Sequence, residues 1–463
     1  MLEFLGIQID VKNSPALDPD FIPLNAFNRA FLKTADKPLT VAVEASDGQT
    51  ALIDTFVHGT ADRFAADYYH VERLVKTLLW QKGGRKVIIC GDRNLCEAIA
   101  RAYSPSGERS FDYHFMVRVY EMPFEVVYRD IADKPQNSSS PRAVGRHLDG
   151  CRIGFDAGGS DRKVSAVIDG EAVFSEEVVW LPKEQADPDY HFEGIVSAFK
   201  SAAAHMPRVD GIGVSSAGIY INNRTMVASL FLKVPDDLFE IKVKDIFIRA
   251  ARELGPDIPI EICNDGDVTA LAGSMSIGSG SVLGLAMGTS EAGGYVDHDG
   301  NITGWLNELA FVPVDANPEA MIDEWSGDIG CGVKYFSQDG IIKLAPRAGI
   351  DLSAAETPAE KLKIVQKLMA ADDPRAKAVY LSTGCYLGHA LAWYNDLYEI
   401  KHVLLLGRVM SGRGGDLVLA EAKRVLAEEY PEVKLIPALP DEKFRRVGQS
   451  VAAASLPETN KKG

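Results

Sequence analysis

The chain has 463 residues, 46% hydrophobic and 25% charged, an ordinary globular balance in a length sufficient for two or three domains. Its net charge of −16, from 65 acidic and 49 basic residues, argues against a nucleic-acid partner, because phosphate contacts need clustered Lys and Arg. No apolar run approaches a membrane span, acids stand where a secretory signal would be basic, and the six cysteines lie far apart, so the reading is no membrane, a cytoplasmic location and reduced thiols.

Residues 39–44 and 50–57 alternate like strands, with Asp47-Gly48 between them as a hairpin signal. Residues 68–81 read as an amphipathic helix and 86–92 as a buried strand with its loop. Residues 133–150, rich in Pro, Ser and Asn, read as a linker. They separate an N-terminal α/β domain, 1–132, from a second region, 151–463.

Past the linker, 151–155 is a predicted strand leading into Asp156-Ala157-Gly158-Gly159-Ser160-Asp161-Arg162-Lys163, and 164–168 the returning strand. A helix opens near Tyr190, and 209–214 is a strand within the run Gly211-Ile212-Gly213-Val214-Ser215-Ser216-Ala217-Gly218. This hairpin, helix and strand repeat the order seen before the linker. Residues 260–263 form a short strand before Asn264-Asp265-Gly266-Asp267, which opens a small-residue helix over 266–275. Residues 281–287 and 293–298 flank Gly288-Thr289-Ser290-Glu291-Ala292-Gly293-Gly294 as a hairpin. Helices are expected over 356–371 and 376–396, the latter with Trp393 and Tyr394 in the core. The buried run Val403-Leu404-Leu405-Leu406 leads into a glycine-rich segment from Gly407 to Asp416, and 416–430 reads as an amphipathic helix. This alternation predicts an α/β architecture.

Each turn alone is ordinary. Asp-x-Gly-Gly is usually a hairpin tip, and Asn264-Asp265 would serve as a helix cap. The four together, in this order, describe a two-lobed nucleotide clamp with an acid in the cleft. Backbone N–H groups must come close to a triphosphate, and glycine permits this. Gly158, Gly159, Ser160 and Lys163 are expected on one side of the phosphates, and Gly288, Thr289, Ser290 and Gly293 on the other. Gly407, Gly412 and Gly414 are expected against adenosine. Asp156, at a strand end, is suited to hold Mg²⁺ through water. Asp267 is either a second cleft acid or a first-turn acid favoured by the helix dipole. Arg408 and Arg413 reach adenine or phosphate or are solvated, and Trp305 is either a stacking platform for a sugar or core. His298 and His389 are isolated.

These residues resemble those of the actin-like ATPase superfamily, which includes sugar kinases, acetate kinase and Hsp70. Within it they are most similar to the ROK family (repressors, open reading frames, sugar kinases), over about residues 150–455. Asp156-x-Gly-Gly-Ser-x-x-Lys163 resembles the first phosphate motif, 288–294 the second, and 406–416 the adenosine motif. Gly211 to Gly218 resembles a family strand, with Ala217 where proline or glycine is usual. Asn264-Asp265 resembles the sugar-binding Asn and catalytic Asp, and Pro437-Ala438-Leu439 with 448–454 resemble the closing strand and helix. The family's Glu-x-Gly-His is here Glu308-Leu309-Ala310-Phe311. Of its three zinc-loop cysteines only Cys331 remains, and one cysteine cannot build a tetrahedral site, so no structural zinc is expected. A sugar-contacting glutamate is lost near Val333, and Arg408 replaces a glycine.

The resemblance implies a two-lobed actin-like ATPase (ribonuclease H-like) fold. Lobe I spans about 151–270 plus the C-terminal helix, and lobe II about 271–445. The extra N-terminal α/β domain reads as a degenerate actin-like half without a nucleotide turn, serving for packing, dimer contact or a lid. The implied activity is ATP- and Mg²⁺-dependent phosphorylation of a sugar hydroxyl, with a sugar and ATP as partners and a homodimer as the assembly. Asp265 is the implied general base, and Asn264, Glu308 and Gly218 the implied acceptor-binding residues. The alternatives are a phosphotransferase on a non-sugar acceptor and a silent sugar-sensing or scaffold protein. A DNA-binding repressor is disfavoured, because residues 1–60 show neither a helix-turn-helix nor a basic cluster.

Overall fold

The structure, a computed structural model, describes residues 2–138, 144–441 and 448–459, so the middle of the linker expected at 133–150 lies outside the described residues. The chain divides into two compact units. Unit 1 comprises Met1–Ser140, Leu285–Gly293 and Trp305–Leu439, and unit 2 comprises Pro141–Gly284, Gly294–Gly304 and Pro440–Gly463. Among the described residues no helix is long and apolar enough to cross a membrane.

Unit 1 begins with the hairpin β1 (Leu2–Phe4) and β2 (Ile7–Ile9), then α1 (Leu24–Leu32). Its first sheet has the order β4-β3-β5-β6, built from β3 (Lys37–Glu44), β4 (Thr50–Val57), β5 (Lys86–Cys90) and β6 (Glu125–Arg129). Gly48 turns the β3–β4 hairpin at φ +81°, as its sequence requires. The helices are α2 (Phe64–Lys82), α3 (Arg93–Ala102) and α4 (Ser110–Tyr120). α2 is buried without a break from His70 to Gln81, so it carries charge into the interior. Buried charges must be paired. Arg73 meets Asp328 at 3.0 Å, Lys76 meets Asp112 at 3.0 Å, and Arg109 meets both Glu72 and Asp328 at 2.7 Å.

Unit 2 holds a five-stranded sheet in the order β13-β10-β7-β8-β9. Its strands are β7 (Cys151–Ala157), β8 (Asp161–Ile168), β9 (Glu171–Val179), β10 (Gly211–Ser216) and β13 (Ile260–Asn264). β7, β8 and β9 form an antiparallel meander, while β10 runs parallel to β7 and β13 parallel to β10. α5 (Pro188–Ala203) connects β9 to β10, and between β10 and β13 lie the hairpin β11 (Gly218–Ile221) and β12 (Arg224–Ala228) and the helices α6 (Asp236–Leu238) and α7 (Ile246–Arg252). One sheet face supplies Ile153, Phe155, Ile212 and Val214 to a core shared with Phe199 and Phe247. α8 (Asp265–Ile277) follows β13 directly.

The two hairpin–helix–strand runs differ in the direction of their last strand. β5 runs antiparallel to β3, whereas β10 runs parallel to β7. The cause is strand count. The N-terminal hairpin has two strands before its helix, and the unit 2 meander has three. An extra strand reverses the end from which the chain leaves the sheet, and so the direction in which it returns.

The rest of unit 1 is built on a second sheet, ordered β15-β14-β16-β17, from β14 (Val282–Met287), β15 (Glu291–Val296), β16 (His402–Leu406) and β17 (Ile436–Ala438). The chain passes between the units within β14 and β15. Helices α9 (Gln338–Arg347), α10 (Pro358–Ala370), α11 (Pro374–Leu397) and α12 (Gly412–Glu429) complete it, with Trp393 and Tyr394 buried as expected. α12 begins four residues before its expected start at 416. Its early glycines are set by packing, since a Cβ on Gly414 would lie 2.5 Å from the Tyr380 ring and one on Gly415 1.9 Å from the Met410 carbonyl. The last helix, α13 (Gln449–Ala454), belongs to unit 2.

Candidate functional site

In unit 2, alternation along the strands decides what faces what. Gly154 and Asp156 lie on one face of β7, and Gly213 and Ser215 on the same face of β10, because side chains alternate with period two. The register pairs Gly213 with Gly154 and Ser215 with Asp156. α13 lies on this face. A Cβ at Gly154 would sit 1.7 Å from the Ser450 carbonyl oxygen, and one at Gly213 1.7 Å from that of Ala453. Only glycine allows so close an approach. The result is that Gln449, first residue of α13, stands over the carboxyl ends of β7, β10 and β13.

A connected set of polar groups forms there. Gln449 Nε2 donates to Ser215 Oγ at 2.9 Å and to the Asp265 carbonyl at 3.0 Å. Ser215 Oγ donates to Asp156 Oδ1 at 3.0 Å. Lys163 stands opposite Asp156 in the β7–β8 register. Burial raises the Asp156 carboxyl to about 6; the Ser215 hydrogen bond and Lys163 oppose the rise, and the charges of Asp265 and Asp161 add to it. Burial also raises Asp265, against the Gly266 amide and Lys183. Two carboxyl groups that hold protons more tightly than ordinary ones thus stand at the carboxyl ends of β7 and β13, on either side of β10.

Asn264 joins β13 to α8. Its Oδ1 caps the helix by accepting from Gly266 N at 2.8 Å, and its Nδ2 donates to the Gly218 carbonyl at 2.8 Å. An amide nitrogen carries two hydrogens, so one further donation remains open to it. Gly218 has φ +150°, and a Cβ there would lie 2.4 Å from the Val227 carbonyl. Asp267 is buried and accepts from Tyr295 N at 3.1 Å, a tie between α8 and β15.

The Gly158-Gly159-Ser160 turn is held by Trp180, whose Nε1 donates to the carbonyls of Gly158 at 2.8 Å and Asp161 at 3.1 Å. Ser160 Oγ donates to Asp161. A Cβ on Gly159 would lie 2.7 Å from Lys183 Cε. Sequence reasoning assigned no role to Trp180, Lys183, Ser215 or Gln449. Ser215 and Gln449 stand inside two of the glycine-containing runs, which was their signal. Lys183 and Trp180 follow the edge strand β9, which carries no motif.

In unit 1 the Gly288-Thr289-Ser290 turn joins β14 to β15, with Thr289 and Ser290 exposed at its tip. Gly288 N donates to the Ser290 carbonyl and Gln338 N to the Gly288 carbonyl, both at 2.9 Å. Gly293 is close to the 305–309 segment, since its Cβ would meet the Asn307 carbonyl at 2.7 Å. Gly407 has φ +92° and passes over the end of β14, where a Cβ would lie 2.3 Å from the Met287 carbonyl. Gly412, at φ +62°, faces open space. Arg413 pairs with Asp372 at 2.6 Å and Arg408 is exposed.

Glu308 is half-buried and precedes a 3₁₀ turn, Leu309–Phe311. Trp305 carries Lys82 Nζ over its ring, 2.9 Å from the centroid. Phe311 stacks on Trp80 with centroids 4.1 Å apart. Cys331 is fully buried, and burial pushes its thiol up to about 12. His389 is buried and bonded to Tyr430 and the Asn13 carbonyl, a core histidine, while His298 is exposed beside Asp299.

No family model matches the chain, and no curated protein matches it. Solved structures do. The ROK hexokinase of Thermus thermophilus is 20% identical, with 66% of this chain and 97% of the hexokinase covered and a TM-score of 0.51. A ROK family transcriptional regulator, a homologue of the E. coli MLC protein, is 16% identical, with 69% of this chain and 80% of the regulator covered and a TM-score of 0.50. The chain has the fold of these proteins, the α/β actin-like ATPase fold expected from its sequence.

Proposed function

We propose that this chain is an ATP-dependent carbohydrate kinase of the ROK type, transferring the γ-phosphoryl group of ATP to a sugar hydroxyl. The observation that carries the reading is the Asp156–Ser215–Gln449–Asp265 set at the carboxyl ends of parallel strands, where open α/β sheets bind their ligands. Asp265 accepts the proton of the acceptor hydroxyl. That oxygen bonds to the γ-phosphorus, the bond from phosphorus to the β-phosphate oxygen breaks, and ADP leaves. A raised carboxyl is a better base than an ordinary one once ionised. The remaining work is positioning and charge balance.

Asn264, with its free Nδ2 hydrogen, and Glu308 bind acceptor hydroxyls, and Gly218 sets the position of Asn264. Gly158, Gly159, Ser160 and Lys163 receive phosphate oxygens, as do Gly288, Thr289 and Ser290. Gly293 serves by admitting the Asn307 carbonyl. Gly407 and Gly412 leave backbone open for adenosine, and Gly414 lets α12 start against Tyr380. Asp156 fits a divalent cation, because its ionised form sits in a partly desolvated site that calls for more positive charge than Lys163 provides. Asp156 would hold Mg²⁺ there, and the ion would supply charge neutralisation to the phosphates.

A sugar sensor that binds without turnover is the second reading, favoured by the likeness in fold to a transcriptional regulator, at a TM-score of 0.50 against 0.51 for the hexokinase. ADP release from Mg·ATP across hexoses, amino sugars, N-acetylated sugars and polyols decides between them. The kinase reading expects an acceptor-dependent signal that falls by a factor of roughly 10² to 10⁴ in Asp265→Asn while ATP still binds. Sugar binding with no ADP release from the wild type rejects it in favour of the sensor.

A further inference from the structure

The last carbonyls of a helix have no partner within it. At the end of α2 they are taken up by the segment that carries Glu308. Asn307 N donates to the Gln81 carbonyl at 3.0 Å, and Glu308 N to that of Trp80 at 2.9 Å. Asn307 is buried with φ +51°, the left-handed region, so the backbone turns sharply just before Glu308. Tyr398 donates to Asn307 Oδ1 at 3.0 Å, and Gln81 Nε2 to the Leu397 carbonyl at 2.7 Å. Phe311 stacks on Trp80, and Lys82 lies over Trp305. Residues on both sides of Glu308 are thus fastened to three consecutive residues of α2.

We infer that Trp80 is a positioning residue: through its stack on Phe311 and its carbonyl bond to Glu308, it makes the end of α2 the element that aims the Glu308 carboxylate at the acceptor. The N-terminal region then contributes to acceptor affinity through Glu308. The inference rests on the assignment of Glu308 proposed above. It gives residues 64–82 a part in the reaction that no motif in them announces. Glu308 lies between β15 and a 3₁₀ turn, outside any regular strand or α-helix, so the ties of its flanking backbone place its Cα.

The test pairs Phe311→Leu, which removes the stacked ring, with Phe311→Tyr, which keeps it. Phe311 is half-buried rather than fully enclosed. In Phe311→Leu the acceptor KM rises about three- to tenfold, the worth of one aromatic pair, while the KM for ATP stays at the wild-type value. Phe311→Tyr restores the acceptor KM. Amide hydrogen exchange supplies a readout independent of turnover. The Asn307 and Glu308 amides exchange faster in Phe311→Leu and at the wild-type rate in Phe311→Tyr, with 153–156 unchanged in both. Equal rises in the acceptor and ATP KM, or unchanged protection of Asn307 and Glu308 in Phe311→Leu, overturns the inference. If wild type releases no ADP with any acceptor, the kinase reading fails, and the exchange data still decide whether α2 holds this segment.

Discussion

Gly154 and Gly213 face each other across the β7–β10 register, and each lies under a carbonyl oxygen of α13 where a Cβ would be 1.7 Å away. A methyl group at either position must push α13 off the sheet. Overpacking of this kind costs about 1–3 kcal/mol when the neighbours can shift. Here the neighbour is helix backbone, which shifts only as a unit. Gly154→Ala and Gly213→Ala are therefore expected to lower the unfolding midpoint in denaturant and to displace Gln449 from Ser215. A normal midpoint in both variants would show that α13 does not rest on this face.

The Ser215 hydrogen bond favours the ionised form of Asp156, which burial otherwise raises to about 6. Ser215→Ala removes that bond and leaves the desolvation. The Asp156 carboxyl then rises further and takes up its proton at a higher pH. In a pH titration of the metal-free protein that follows the Asp156 carboxyl, the wild-type midpoint is expected near 6, against 3.8 for an ordinary aspartate, and the midpoint of Ser215→Ala above it. A midpoint that stays in place, or moves to lower pH, would sever Ser215 from Asp156.

Asp328 accepts from Arg73 at 3.0 Å and Arg109 at 2.7 Å and lies 3.3 Å from Lys76. These cations hold its carboxyl far below the usual carboxylate range. Asp328→Asn leaves them buried with one carboxylate fewer. Breaking a buried ion pair from one side costs about 3–5 kcal/mol, so this variant should be among the least stable single substitutions in unit 1. Denaturant unfolding measures it, and a loss under 1 kcal/mol would mean that water reaches the network.

Much of this site is legible in the sequence, and the exceptions have physical causes. The glycine turns stand out because close backbone approach restricts residue type, and Asp156, Asn264 and Asp265 because they are acids and an amide set at strand ends beside such turns. The bond from Gln449 to Ser215 does not, because it joins residues 234 apart and exists only once α13 has settled on two glycines. The N-terminal hairpin, helix and strand are readable as elements. The direction of β5 is not, because it depends on the absence of a third meander strand. β9 itself, mostly exposed along its length, shows no clean alternation to mark it. The start of α12 was hidden by Gly412, Gly414 and Gly415, which read as loop by helix propensity and are required by Tyr380 and Met410. An amphipathic helix over 68–81 would expose its charges, and Arg73 and Lys76 are instead buried against Asp328 and Asp112.

Glu291, second-phosphate-turn side of β15, is fully buried, and burial raises its carboxyl from 4.5 to about 8 against one hydrogen bond from Tyr394 at 3.2 Å. Its other oxygen, Oε2, has no protein partner. The folded chain therefore binds this proton more tightly than the unfolded chain does. The stability it contributes is full below 4.5 and is lost as pH rises through about 8. Within that window the loss approaches about 1.4 kcal/mol per pH unit. Glu291→Gln keeps an acceptor oxygen for Tyr394 and cannot ionise. Subtracting the unfolding free energy of the variant from that of the wild type at each pH cancels the groups they share. The difference should fall steadily between pH 5 and 8, and the variant should be the more stable chain above 8. A difference that stays flat across this range would mean that Glu291 is solvated in the folded protein and titrates as an ordinary carboxyl.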